Sequence, residues 1–139
     1  LDDLRVGPGD HLVDIGAGDA RVLLAAARRG ASAEGYELSP FLWLVAWLRT
    51  IPVRENVTVR FADGFSADLS RATVVFAFLR PRTMPRFAAA VAPYLCSGDR
   101  RVVTYAFPLP KRPPVSVLRL PRCVPLYVYA SSPSDSKWE

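Results

Sequence analysis

The sequence predicts an α/β domain with a mostly parallel central sheet and an antiparallel pair at its C-terminal edge. Three observations predict it. Strand-like and helix-like segments alternate along most of the chain. The hydrophobic stretch Leu12-Val13-Asp14-Ile15 runs into Gly16-Ala17-Gly18-Asp19-Ala20, a glycine-rich turn leading to a helix. Thr73 to Leu79 is an unbroken apolar run, suited to a central strand buried on both faces.

Each element has its own local reason. The first strand is His11 to Ile15. The first helix spans about Asp19 to Arg29, rich in Ala and Leu, with Gly30 where a left-handed cap belongs. Ser32 to Glu37 is the second strand. Ser39-Pro40 then supplies an N-cap and a proline at the first helical position. That second helix, Phe41 to about Thr50, is apolar around most of its girth and is expected to be largely covered. Val57 to Phe61 alternates as a third strand, and 63–71 holds at most one helical turn.

Thr73 to Leu79 is the fourth strand. Thr83 is placed to cap a helix running to about Tyr94 and ending near Ser97-Gly98. Arg101 to Phe107 is the fifth strand. Pro108, Pro110, Pro113 and Pro114 exclude a full crossover helix after it. Val115 to Leu120 and Val124 to Tyr129 read as a hairpin-like pair. The chain is expected to form one domain over 1–130, with a flexible tail over 131–139.

Composition narrows the function. The 139 residues suffice for one core, and no apolar run approaches the roughly 20 residues of a membrane span. Nothing resembles a signal peptide, and a cytoplasmic location is expected. The start at Leu1, without Met, points to residues removed upstream. Cys96 and Cys123 fit no metal or redox spacing and are expected to be buried thiols. The net charge of +5 is nearly all Arg, scattered rather than striped. A generic basic surface is the plain reading; acidic protein substrates and RNA are the alternatives.

The glycine turn indicates a ligand. Two glycines one residue apart allow close backbone approach. Asp14 and Asp19 flank the turn, however, and would repel a pyrophosphate. The dinucleotide fingerprint would also place a third glycine at Arg21; the small residue is Ala20, one place earlier. S-adenosylmethionine, with a sulfonium, an ammonium and no phosphate, fits better. Glu37, twenty-one residues after Gly16, ends the second strand and can accept hydrogen bonds from ribose hydroxyls. Asp63, followed by Gly64, ends the third and can accept from an adenine amino group. Simpler roles stay open: helix capping for Asp14 and Asp19, a solvated loop for Glu37, turn chemistry for Asp63. His11 lies at the wrong end of its strand for catalysis, and Tyr36, Trp43 and Trp47 read as core.

Val13-Asp14-Ile15-Gly16-Ala17-Gly18-Asp19-Ala20-Arg21 and Gly35-Tyr36-Glu37-Leu38-Ser39-Pro40 resemble class I S-adenosylmethionine-dependent methyltransferases. Phe78-Leu79-Arg80-Pro81-Arg82-Thr83-Met84 and Phe107-Pro108-Leu109-Pro110 narrow this. They are similar to the protein-lysine methyltransferase family of the adenine nucleotide translocase and ATP synthase c-subunit enzymes and their archaeal relatives. The resemblance covers about 10–130. It implies a Rossmann-like class I fold, S-adenosyl-L-methionine as cofactor, no metal and a protein lysine as acceptor. The implied donor residues are Asp14, Gly16, Ala17, Gly18, Asp19, Glu37, Leu38, Asp63 and Gly64, with Phe78, Leu79, Arg80 and Pro81 positioning the acceptor.

Three departures stand out: Ala20 for the usual glycine, Arg80 where the family tends to be apolar, and only Leu1 to Asp10 before the first strand, where relatives carry a helical segment. A dedicated base is not evident, so positioning, with Tyr105 or Phe107 assisting, is the expected strategy. The chain lacks the Asn/Asp-Pro-Pro-aromatic motif of amino-methylating nucleic-acid enzymes, so a nucleic-acid acceptor is disfavoured. A small-molecule methyltransferase and a donor-binding fragment inactive without its upstream helix are the competing readings. A nicotinamide oxidoreductase comes last.

Overall fold

A computed structural model describes residues 4–96, 98–119 and 121–131. Its centre is one seven-stranded sheet in the order β3-β2-β1-β4-β5-β7-β6. β1 (His11–Ile15), β2 (Ser32–Glu37), β3 (Val57–Phe61), β4 (Val74–Ala77) and β5 (Arg101–Tyr105) are parallel. β6 (Ser116–Leu118) and β7 (Leu126–Ala130) are antiparallel, and β7 lies between β5 and β6. The expected Rossmann-like sheet with an antiparallel edge pair is therefore the observed one.

Apolar alternation on both faces explains why the central strands bury so fully. Leu12, Val74, Phe76, Val103 and Val128 pack on one face, beneath α1 (Arg21–Ala27). Val13, Val75, Val102 and Tyr129 pack on the other, beneath α3 (Met84–Val91). α3 buries Met84, Phe87 and Val91, spaced as one helical face requires. At the amino ends of the strands, buried Arg101 donates to Leu4 O and to Asp10 Oδ1, both at 2.7 Å. Asp10 also accepts from the Thr73 hydroxyl and Gly7 N–H. His11 bonds Ser32 at this same end, remote from the glycine turn.

Several expectations need correction. The first helix is shorter than 19–29, because Ala20 sits in a left-handed conformation (φ 65°) and the helix begins at Arg21. Thr83 does not cap α3; its hydroxyl donates to Arg80 O, inside a 3-10 turn over Pro81–Thr83. α3 ends at Val91, with a separate turn at Tyr94–Cys96. β4 stops at Ala77 and β5 at Tyr105, so Phe78 and Phe107 lie beyond the ladder. Cys96 and Cys123 are free but exposed rather than buried. Ser131, placed at the start of the expected tail, exchanges backbone and side-chain hydrogen bonds with Gly98 and Arg100. Ser97, Leu120 and 132–139 lie outside the described residues.

The largest correction concerns α2 (Pro40–Thr50). Its start is as expected, with Ser39 Oγ accepting from Leu42 N–H. Only Ala46 and Thr50 are buried, however, and Phe41 remains 74% exposed. α2 lies against β3, the edge strand, so a narrow stripe suffices to cover it. Trp43 Nε1 donates to Val59 O at 3.3 Å, satisfying a carbonyl that the open edge would otherwise leave to solvent. Among the described residues no helix is long and apolar enough to cross a membrane.

Gly35 in β2 sets how closely the glycine turn and α1 approach the sheet. A Cβ there would stand 2.5 Å from Leu23 Cδ1 and 2.8 Å from Ala17 Cβ. Gly35→Ala should therefore destabilise the protein by about 1–3 kcal/mol through overpacking. Urea unfolding measures this, and an unmoved midpoint would contradict the packing described.

Candidate active site

The glycine turn lies at the carboxyl ends of the parallel strands, where open sheets of this kind place ligands. Gly16 adopts φ 84°, and its N–H and that of Ala17 both donate to Tyr36 O at 2.9 Å. Gly18 N–H donates to Glu37 Oε2 at 2.8 Å, and Ser39 N–H to Glu37 Oε1 at 2.9 Å. One carboxylate thus ties the turn after β1 to the turn after β2. Three N–H groups that a phosphate cradle would need are already engaged. Each Glu37 oxygen accepts one backbone bond here and has a second acceptor site for a ligand.

Asp14 is buried at the end of β1, with 3% exposure. Burial, and secondarily the Glu37 carboxylate, push its pKa up to about 8. Asp14 therefore keeps its proton at neutral pH, and a cation bound beside it would favour the ionised form.

Asp19 behaves differently from expectation. It caps no helix and lends little free charge to the turn, because Arg21 pairs with it at 2.9 Å and Arg49 at 2.6 Å. The Arg21 hydrogen bond first, then that of Arg49, hold its pKa down at about 2. Asp63 accepts from Phe65 N–H and Arg86, which lower its pKa in that order. Turn chemistry therefore accounts for part of Asp63. Gly64 is buried, and a Cβ there would meet Ile15 Cγ2 at 2.7 Å, a packing reason for the glycine.

Beside the turn opens a cavity of about 550 Å³, within the range of small-molecule sites. Asp14, Gly16, Ala17, Gly18, Asp19 and Phe78 line it, so the structure brings these expected residues together. Glu37 joins them through Gly18. Leu38, Asp63 and Gly64 do not line the cavity; they follow β2 and β3 on the same edge. Leu79 packs against Gly16, whereas Arg80 and Pro81 are exposed beyond the cavity wall. Phe78 and Tyr105 meet edge to face, with centroids 5.0 Å apart, forming its aromatic side.

Sequence reasoning missed Leu4, Arg21, Val22, Ala25, Phe76 and Leu126 in the lining. Helical spacing relates Ala25 to both Arg21 and Val22, which was a usable signal. Leu126 arrives only through the antiparallel register that sets it opposite Tyr105. Among the described residues no three His, Cys, Asp or Glu side chains converge as metal ligands.

The Rossmann-like fold is that of the methyltransferases. It matches an RNA methyltransferase from Salinibacter ruber, solved with S-adenosyl-L-homocysteine, at TM-score 0.77 and 32% identity. The match covers 89% of this chain and 82% of that one. The ANTKMT methyltransferase domain matches residues 14–116, and the chain belongs to that family. It is 39% identical over 103 residues to the lysine N-methyltransferase of the ATP synthase c-subunit from Xenopus laevis, covering 71% of this chain and 44% of that protein. It is 37% identical over 120 residues to the adenine nucleotide translocase lysine N-methyltransferase of Mus musculus, covering 83% and 51%. The chain thus spans about half the length of these curated relatives.

The Asp14 shift has a signed consequence. The unfolded carboxyl ionises near 3.8 and the folded one near 8. Between these values the folded state holds the extra proton, so stability falls as pH rises. Asp14→Asn keeps the shape without the charge. Its melting temperature should exceed the parent's by a margin that widens from pH 4 to 8; equal melting curves at pH 8 would contradict this burial.

Proposed function

We propose that this chain binds S-adenosyl-L-methionine at the glycine turn and transfers its methyl group to a lysine amino group of a protein. The observation that carries the donor assignment is the state of the turn. Its first N–H groups are spent on Tyr36 O and Glu37, and its buried neighbour is a carboxyl group whose ionisation only a nearby cation would favour. Such a site favours a cationic ligand over a phosphate-bearing one. Asp14, Gly16, Ala17 and Gly18 would hold the methionine part of the donor, and Glu37 the ribose. Leu38, Asp63 and Gly64 would border the adenine, with Asp19 held in place by its arginines. The solved relative with S-adenosyl-L-homocysteine supports the same donor.

The donor supplies an activated methyl group that leaves a sulfonium by in-line displacement. This chain's residues have to align the acceptor nitrogen and exclude water, an effect worth up to about 7–11 kcal/mol. Phe78 and Tyr105 form an apolar wall beside the turn, with Leu79, Arg80 and Pro81 continuing toward the surface. An aliphatic lysine stem suits that wall. With a reference pKa of about 10.4, only on the order of one lysine in a thousand is neutral near pH 7. Transfer into an apolar cavity lowers that pKa and raises the neutral fraction. The lysine acceptor itself rests on the two lysine methyltransferase relatives. Two exposed, unpaired thiols support a reducing compartment such as the cytoplasm.

A second reading is an RNA acceptor, favoured by the 32% identity to the Salinibacter ruber enzyme. Incubation with methyl-labelled donor separates the two. Label in a protein band, released on hydrolysis as methyl-lysine, is the expected result; label confined to RNA would reject the lysine reading. Glu37→Ala removes both the turn's anchor and the proposed ribose acceptor. It should weaken donor binding at least tenfold by calorimetry, and unchanged affinity would remove Glu37 from the site. The rate with a lysine acceptor should rise about tenfold per pH unit below the bound lysine's pKa, and a flat profile from pH 7 to 9 would contradict the need for acceptor deprotonation.

A further inference from the structure

Charge is not spread evenly along this chain. Residues 1–68 carry ten acids and seven bases, whereas 69–139 carry three acids and eleven bases. The sheet turns this into a spatial division. Asp14, Glu37 and Asp63 end or follow β1, β2 and β3, with Asp19 in the turn after β1. The loop after β4 carries Arg80 and Arg82. Leu118 pairs with Leu126, and Leu126 with Tyr105 at the carboxyl end of β5. The β6–β7 turn, with Arg119 and Arg122, therefore lies at the same edge of the sheet. Four of the arginines that looked scattered in sequence therefore fall in two loops at one end of the sheet.

These four arginines are exposed, and none makes an ion pair among the described residues. Neither of the two loops contains an acid. They differ in this from Arg21, Arg49 and Arg86, which pair with Asp19 and Asp63. Phe78 and Leu126, which line the cavity, each lie within a few residues of one of these loops. This end of the sheet thus carries carboxyl groups over β1 to β3, with Asp19 and Asp63 already paired with arginine, and unpaired arginines over β4 and the β6–β7 turn.

Resting on the lysine reading of the site, we infer that the acceptor lysine lies in an acidic sequence context. Its flanking Asp or Glu side chains dock on Arg80, Arg82, Arg119 and Arg122 while the amine enters past Phe78 and Tyr105. Arginine suits carboxylates through its planar, forked donors. A short acidic peptide meets only the basic half of the edge. A polynucleotide running along the edge would instead meet the Glu37 carboxylate, and Phe78 and Tyr105 stand edge to face rather than as a parallel stack.

The test measures binding and turnover separately, using three fluorescent peptides of one length with a central lysine and acidic, neutral or basic flanks. With S-adenosyl-L-homocysteine present, anisotropy should show the acidic peptide binding on the order of tenfold more tightly than the neutral one. That preference should collapse at 0.5 M salt. Arg119→Gln/Arg122→Gln should raise the KM for the acidic peptide several-fold more than it lowers kcat, without changing affinity for the donor. Arg119→Lys/Arg122→Lys, which keeps charge, should restore most of the loss. Equal binding of acidic and neutral peptides overturns the inference whatever the turnover. Acidic-peptide binding with no methyl-lysine formed leaves the rim assignment standing and rejects the lysine reading. An oligoribonucleotide that binds more tightly than the acidic peptide and blocks it overturns the choice of a protein partner.

Discussion

A single carboxylate organises the ligand edge of this protein. Glu37 accepts from Gly18 N–H with one oxygen and from Ser39 N–H with the other, joining the turns that follow β1 and β2. This spends a turn N–H that would otherwise face a ligand. It also holds a negative charge beside buried Asp14, whose ionisation is thereby opposed twice, by burial and by repulsion. The turn keeps a glycine-rich geometry that elsewhere serves phosphates, while its electrostatics are reversed. Backbone shape alone does not name the ligand; the groups already satisfied within the protein do.

The same edge divides its work between the two halves of the sheet. Over β1 to β3 the chain places carboxylates. Over β4 and β7 it places aromatic rings and unpaired arginines. The proposed methyl transfer suits such a division, because a cationic donor and an acceptor that must shed a proton have opposite electrostatic requirements. The antiparallel insertion of β7 brings Leu126 beside Tyr105 and so closes the apolar side of the cavity. The far end of the strands contributes rigidity instead, through the Arg101–Asp10–Thr73 network.

Much of this was legible in the residues. Apolar runs marked the strands to within two residues at most ends, Ser39-Pro40 marked the start of α2, and Gly30 marked the end of α1. The Gly16–Gly18 turn with Asp14 and Glu37 was legible as a unit, because local spacing alone puts those residues at adjacent strand ends. The pairing of Asp19 with Arg49 was hidden, since it depends on how α2 lies against a turn thirty positions earlier in the chain. The exposure of α2 was hidden too: an apolar sequence shows that a helix can be buried, not that enough sheet lies under it. Thr83 misled because its hydroxyl found the Arg80 carbonyl before any helix N–H.

The suppressed ionisation of Asp14 at the end of β1 is the claim on which the donor assignment turns, and carbon-13 NMR of its carboxyl reads it directly. Titrated without ligand, this carbon should report ionisation near pH 8. Saturation with S-adenosyl-L-methionine should move the midpoint down by at least one pH unit, while an equal excess of NAD leaves it in place. A midpoint near 4 in the free protein, or one that the sulfonium compound does not shift, would contradict the account.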